Sequence, residues 1–99
     1  MFHGEYKQPG GKLVQIDFEV FEGRLTGVRV SGDFFLYPDE ALEPIVAAVE
    51  GSPIDLTPDQ RAASITAAIP ADVEWLGSSP AALATAIHRA LEAGATTRG

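Results

Sequence analysis

Ninety-nine residues with a formal net charge of −7 leave room for one domain, and the seven scattered basic residues cannot neutralise a run of nucleic-acid phosphates. The absence of cysteine removes disulfides, thiolate nucleophiles and sulfur-ligated metal clusters. No apolar run approaches the roughly 18 residues of a membrane span and no signal-peptide pattern follows Met1, so the expectation is a cytoplasmic domain with neither nucleic acid nor membrane as partner.

The first third of the chain reads as sheet. Residues 3–7 suggest a short strand ahead of the Pro9-Gly10-Gly11 turn. Val14, Ile16, Phe18 and Val20 then alternate with Gln15, Asp17 and Glu19, which puts four apolar side chains on one face. Thr26, Val28 and Val30 continue the pattern beyond a hairpin signal at Phe21-Glu22-Gly23-Arg24. A two-residue turn there would pair Val20 with Leu25 and Phe18 with Gly27, setting an apolar face against a polar one. The expectation is therefore a three-residue loop with Gly23 left-handed, which pairs Phe18 with Val28 and Ile16 with Val30.

The remainder reads as helix. Leu42, Ile45, Val46 and Val49 share a stripe behind Asp39, Glu40 and Glu43, with Gly51 at the end. Pro44 requires either a start close to it or an irregular first turn. Thr57, Pro58 and Gln60 spell a capping box for a second helix that ends before Pro70. Ser79-Pro80 opens a third, carrying Leu83, Ile87, Ala90 and Leu91 to a stop at Gly94. Between these two helices Trp75 is expected to plug the seam between helices and sheet. The tail, residues 95–99, is expected to fray. The fold class is α+β: an antiparallel sheet of two to three strands followed by about three helices packed on one face, in one domain over residues 1–99 with its core at about 3–93.

Two junctions stand out as sites. In Pro9-Gly10-Gly11-Lys12 two glycines offer backbone N–H groups beside a lysine, which suits an anionic oxygen; the alternative is a tight turn with a solvated lysine. The nucleotide-loop spacing is absent and no helix follows. In Gly32-Asp33-Phe34-Phe35, Asp33 either caps a turn above two core phenylalanines or stands with an aromatic at a subunit seam. His3 and His88 lack the carboxylate spacing of a metal site, and His88 reads as a partly exposed residue. Asp17, Glu19 and Glu22 read as solvated surface, and Ser79 as a helix cap. No constellation can do chemistry unaided.

Lys7-x-Pro9-Gly10-Gly11-Lys12-Leu13-Val14, then Gly32-Asp33-Phe34-Phe35-Leu36, then the acidic-start helix with Leu42 and Ile45, resembles the C-terminal accessory domain of lipoate–protein ligases. Val73-Glu74-Trp75-Leu76-Gly77 leading into the last helix looks like the end of the same domain, so the resemblance spans about residues 3–92. It implies a fold similar to iron–sulfur scaffold proteins, although the lack of cysteine argues against that role. It also implies a non-catalytic subunit that docks on a catalytic ligase chain and supports lipoyl-AMP formation, with lipoyl-acceptor proteins as indirect partners. Lipoate, ATP and Mg belong to the complex, and none is expected on this chain alone. The turn so close to Met1 makes the chain look like a natural separate subunit, with a domain cut from a longer ligase as the other origin. Under the resemblance Lys7, Pro9, Gly10, Gly11, Lys12, Gly32, Asp33 and Phe34 face the partner or its active site, and Lys12 offsets phosphate charge. The competing function is a stand-alone small-molecule or protein-binding module that shares only the fold. An exposed apolar patch favours the subunit.

Overall fold

The alternating first third builds a three-stranded antiparallel sheet in a computed structural model that describes residues 1–94. The expected fraying of residues 95–99 lies outside the described residues. The strands are β1 (Phe2–Lys7), β2 (Leu13–Phe21) and β3 (Arg24–Gly32), with β2 in the middle. Phe2, Gly4 and Tyr6 of β1 stand opposite Phe18, Ile16 and Val14, so both strands turn their apolar set to one face. Phe2 stacks on Phe18 with ring centroids 5.2 Å apart.

The β2–β3 hairpin corrects one expectation and keeps another. Its turn has two residues, Glu22 and Gly23, both at positive φ, the mirror-image turn whose twist matches the strands. Val20 therefore does pair with Leu25. The extra residue sits further up the ladder, where the register shifts between Asp17 and Glu19, and beyond it Ile16 faces Val30 as expected. Phe18 and Val28 are not register partners. The bulge is held from outside, since the Glu50 carboxylate accepts from the N–H groups of Gly27 (3.1 Å) and Val28 (2.9 Å). Leu25 thus replaces Thr26 in the inward set, and the side-chain phase changes before Val28 and Val30.

Helices cover the apolar face. A single 3-10 turn at Asp39–Ala41 leads into α1 (Leu42–Val49), so Pro44 falls in the first α-helical turn, where its missing N–H costs no helical bond. Helix α2 (Pro58–Ala68) starts at the expected capping box, with both reciprocal bonds formed. Helix α3 (Pro80–Ala93) is capped by Ser79 and lies along β1 and β2, with α2 against its side. Ile16, Phe18, Leu25, Ile45, Ile65, Leu83 and Ile87 are fully buried between these layers.

A second sheet was not foreseen. β4 (Phe35–Tyr37) pairs antiparallel with β5 (Glu74–Leu76). Leu36 turns inward beside half-buried Trp75, and Trp75 meets Phe34 with centroids 5.6 Å apart. Trp75 therefore plugs the seam between this small sheet and the core. The architecture is α+β, as expected.

Candidate functional site

The Gln8–Gly11 segment is a turn closed by the Gly11 N–H on the Gln8 carbonyl at 2.8 Å, with Pro9 and then Gly10 (φ 74°) at its centre. Proline followed by a positive-φ glycine is the sequence that a type II turn selects. The next N–H, that of Lys12, donates to the Gly77 carbonyl at 2.6 Å. The Gly11 N–H, one of the two glycine donors expected to greet an anion, is therefore engaged within the chain, as is the N–H of Lys12. The turn offers its exposed lysine, not a cradle of free donors. Lys7 is also exposed, at the β1 end of the same turn.

The Gly32-Asp33 junction meets this turn. The Asp33 N–H donates to the Leu13 carbonyl at 3.0 Å, which brings β3 out beside the start of β2. Asp33 is exposed and Phe34 half-buried. Of the two phenylalanines that one of the two readings put in the core, only Phe34 packs against it; Phe35 is 59% exposed, as the seam alternative required of one aromatic.

Gly77 ties the third segment in. At φ 90° it occupies backbone that L side chains rarely adopt, and a Cβ there would run into the Lys12 side chain. Next to it the Ser79 hydroxyl donates to the Gln8 side-chain oxygen at 2.9 Å while accepting from the Ala82 N–H. Segments 8–13, 32–36 and 74–79 thus converge at one end of the sheet. The two sequence motifs that stood apart in the chain are neighbours in space.

That end carries an apolar face. Phe35, Tyr37 and Leu76 project from the outer side of β4–β5, at 59%, 51% and 49% exposure. Phe35 pairs across the strands with Leu76 and stacks on Tyr37 at 6.5 Å. Isolated exposed apolar residues are ordinary, but three gathered around Phe35 form a patch. Among the described residues the other exposed large apolar side chains, Met1, Phe21 and Ile54, lie toward the hairpin end.

Among the described residues no group of three His, Cys, Asp or Glu side chains is arranged to hold a metal ion, and no helix is long and apolar enough to cross a membrane. His3 nevertheless has carboxylate partners that spacing along the chain did not show. The β1–β2 register sets it opposite Asp17, and its ring nitrogens lie 2.7 Å from Asp17 and 2.8 Å from Glu5. Hydrogen bonds to Glu5 and then to Asp17 raise its pKa above 6.5. Only the imidazolium donates at both nitrogens, so this stabilisation is complete below about pH 6.5 and is lost as pH rises through the raised value. The cluster is exposed and screened by salt, so the contribution is at most about 1 kcal/mol. Between pH 6 and 8 the native chain is expected to lose more thermal stability than His3→Ala, by a few degrees in Tm at low salt. Parallel profiles would show the cluster to be inert.

Sequence reading also passed over Arg61. It is 1% exposed, donating to the Ser52 hydroxyl at 3.0 Å and the Pro53 carbonyl at 2.8 Å, and so anchors the α1–α2 connection to α2. His88, half-buried as expected, has its pKa lowered by burial and then by the charge of Arg61. Both belong to packing behind the sheet.

No family model matches the chain, and no curated protein matches it. A solved structure does: a chain from the archaeal lipoylation system of Thermoplasma acidophilum, a bipartite lipoate protein ligase with its E2 lipoyl domain. The match covers 88% of this chain and 94% of that one, with a TM-score of 0.66 and 20% sequence identity. The fold that the resemblance implied is thus matched in three dimensions: the chain has the fold of a component of that lipoylation system.

Proposed function

We propose that this chain is the accessory subunit of a split lipoate–protein ligase, docking on a catalytic chain and supporting ATP-dependent formation of lipoyl-AMP. The observation that carries the proposal is the Phe35–Tyr37–Leu76 patch at the end where the Pro9–Lys12 and Gly32–Phe34 motifs meet. A subunit that supplies no reacting group contributes by covering and positioning, and an apolar patch rimmed by polar residues is the surface such a role requires. The structural neighbour comes from a lipoylation system with a bipartite ligase, and its matched chain is about as short as this one, which fits a small component of such a system. In this reading Lys12, which is exposed and bonded through its N–H to Gly77 just after β5, offsets phosphate charge when the partner's site is completed.

The test mixes this protein with the ligase-like catalytic chain of the same genome and follows AMP release dependent on lipoate and ATP. Release is expected only when both chains are present, with Lys12→Ala lowering the rate by about tenfold or more, the lower range for loss of one charge-stabilising donor. Equal release by the catalytic chain alone would overturn the proposal. An unchanged rate for Lys12→Ala would keep the subunit role and remove the lysine from it.

A further inference from the structure

Sheet edges are normally guarded, because unpaired N–H and C=O groups recruit other strands. The β1 edge has a guard: the Arg89 guanidinium lies 4.9 Å over the Tyr6 ring and donates to the Glu5 carbonyl at 3.4 Å. The first half of the β3 edge is covered too. Leu25 exchanges bonds with Ser52 and Gly51, and Glu50 takes the N–H groups of Gly27 and Val28. These bonds set the phase of the strand. Val28, Val30 and Gly32 point their backbone groups outward, and the Asp33 N–H, turned inward to Leu13, agrees with that alternation.

From Val30 onward that edge has no partner strand or covering loop among the described residues. Beside it opens a cavity of about 320 Å³. Val30, Ser31 and Gly32 line it from β3, Phe34, Leu36 and Leu42 supply apolar walls, and Asp39 contributes the one charge in its lining. Asp33, Glu40 and Glu43 are exposed on the segments that flank it.

We propose that this stretch of edge and its cavity bind an extended segment of a partner protein, which adds to the sheet as a fourth strand beside β3. Main-chain groups of Val30 and Gly32 pair with the incoming strand. An apolar side chain seats against Phe34, Leu36 and Leu42, and a basic one meets Asp39. Backbone pairing with side-chain pockets at alternate positions is how strand addition combines affinity with selectivity. The chain's charge of −7 and the acidic flank select a basic segment over an acidic one. The apolar floor and edge amides suit a strand better than a polar metabolite, which needs several convergent polar side chains. This proposal is independent of the ligase reading, since the Phe35 patch lies on the opposite side of β4 from Leu36.

The probe is a blocked pentapeptide, Lys-Val-Thr-Val-Lys, titrated to millimolar concentration, with amide exchange and chemical shifts read by NMR. The Val30 and Gly32 amides are expected to gain at least about tenfold protection at saturation, while Phe35 and Leu76 stay unperturbed. The Glu-Val-Thr-Val-Glu counterpart is expected to bind about fivefold more weakly, and Asp39→Lys, at an exposed position, to reverse that order. No binding, equal binding of the two peptides, or protection centred away from Val30 and Gly32 would each overturn the proposal. None of these outcomes bears on AMP release, so the two readings fail separately.

Discussion

Replacing Gly4 by valine is expected to cost at least about 3 kcal/mol of folding stability, the upper part of the range for overpacking a closed core. Gly4 faces inward on β1 between Phe2 and Tyr6, opposite Ile16, and is itself buried. Helix α3 lies directly on it: a Cβ at Gly4 would collide with the Ala86 carbonyl and with the backbone and Cβ of Ala90. Two of those obstacles are backbone, which no rotamer change can move. The helix is suited to this approach, because Ala82, Ala84, Ala86 and Ala90 are its buried small residues. Lifting it would open the layer held by Leu83 and Ile87. For a chain of this size total stability is about 5–15 kcal/mol, so the variant would lose a large share of it. At 4–8 °C per kcal/mol, Tm should fall by at least about 12 °C. Gly4→Ala should also destabilise, although glycine-to-alanine changes at unstrained sites usually stabilise through the unfolded chain. The sign of that single-carbon variant, read by thermal and urea unfolding followed by circular dichroism, decides the matter. A stabilised Gly4→Ala would mean that α3 does not seat on β1 this closely.

Much of this arrangement is legible in the residues themselves. The period-two run from Val14 to Val20 and the Thr57-Pro58-x-Gln60 box specify local structure through local chemistry, and both are realised. What escapes notice depends on contacts distant in sequence. The bulge position is set by Glu50, which lies 22 residues from Val28 in the chain, and nothing in the hairpin announces it. β4 and β5 have three residues each, too few for alternation to register, and each exists because the other pairs with it. Their absence from the sequence reading also left Phe35 undecided between core and seam, since Phe-Phe in a chain looks the same whether one ring or two are buried. The site shows the same division. The Pro9–Lys12 turn and the Gly32–Phe34 junction could each be singled out, but their meeting depends on the Lys12–Gly77 and Asp33–Leu13 bonds. His3 is the converse case: Asp17 is fourteen residues away, and only the β1–β2 register makes them partners.

If the patch on β4–β5 is the docking surface, the double variant Phe35→Ser, Leu76→Ser should weaken association with the catalytic chain by at least about a hundredfold. Buried aromatic and aliphatic anchors near the centre of an interface commonly cost 2 kcal/mol or more each when truncated, and tenfold corresponds to about 1.4 kcal/mol. Non-additivity between two touching residues lowers the sum, which is why a hundredfold is the floor and not the full product. Both side chains are about half exposed in the free chain and sit across from one another on the outer face of β4–β5, so folding should be nearly indifferent to their loss. Thermal unfolding of the variant should therefore stay within a few degrees of the parent. Phe21 is the matched control: it is 67% exposed, an aromatic like Phe35, and lies at the hairpin end of β2. A nine-residue strand separates the two ends by about 27 Å, too far for one side chain to act on the other's contacts. Phe21→Ser should leave both association and AMP release unchanged. Were Phe21→Ser to weaken the complex while the Phe35 and Leu76 pair did not, the docking surface would lie at the hairpin, and the convergence of the two glycine-rich motifs would have to be explained by folding alone.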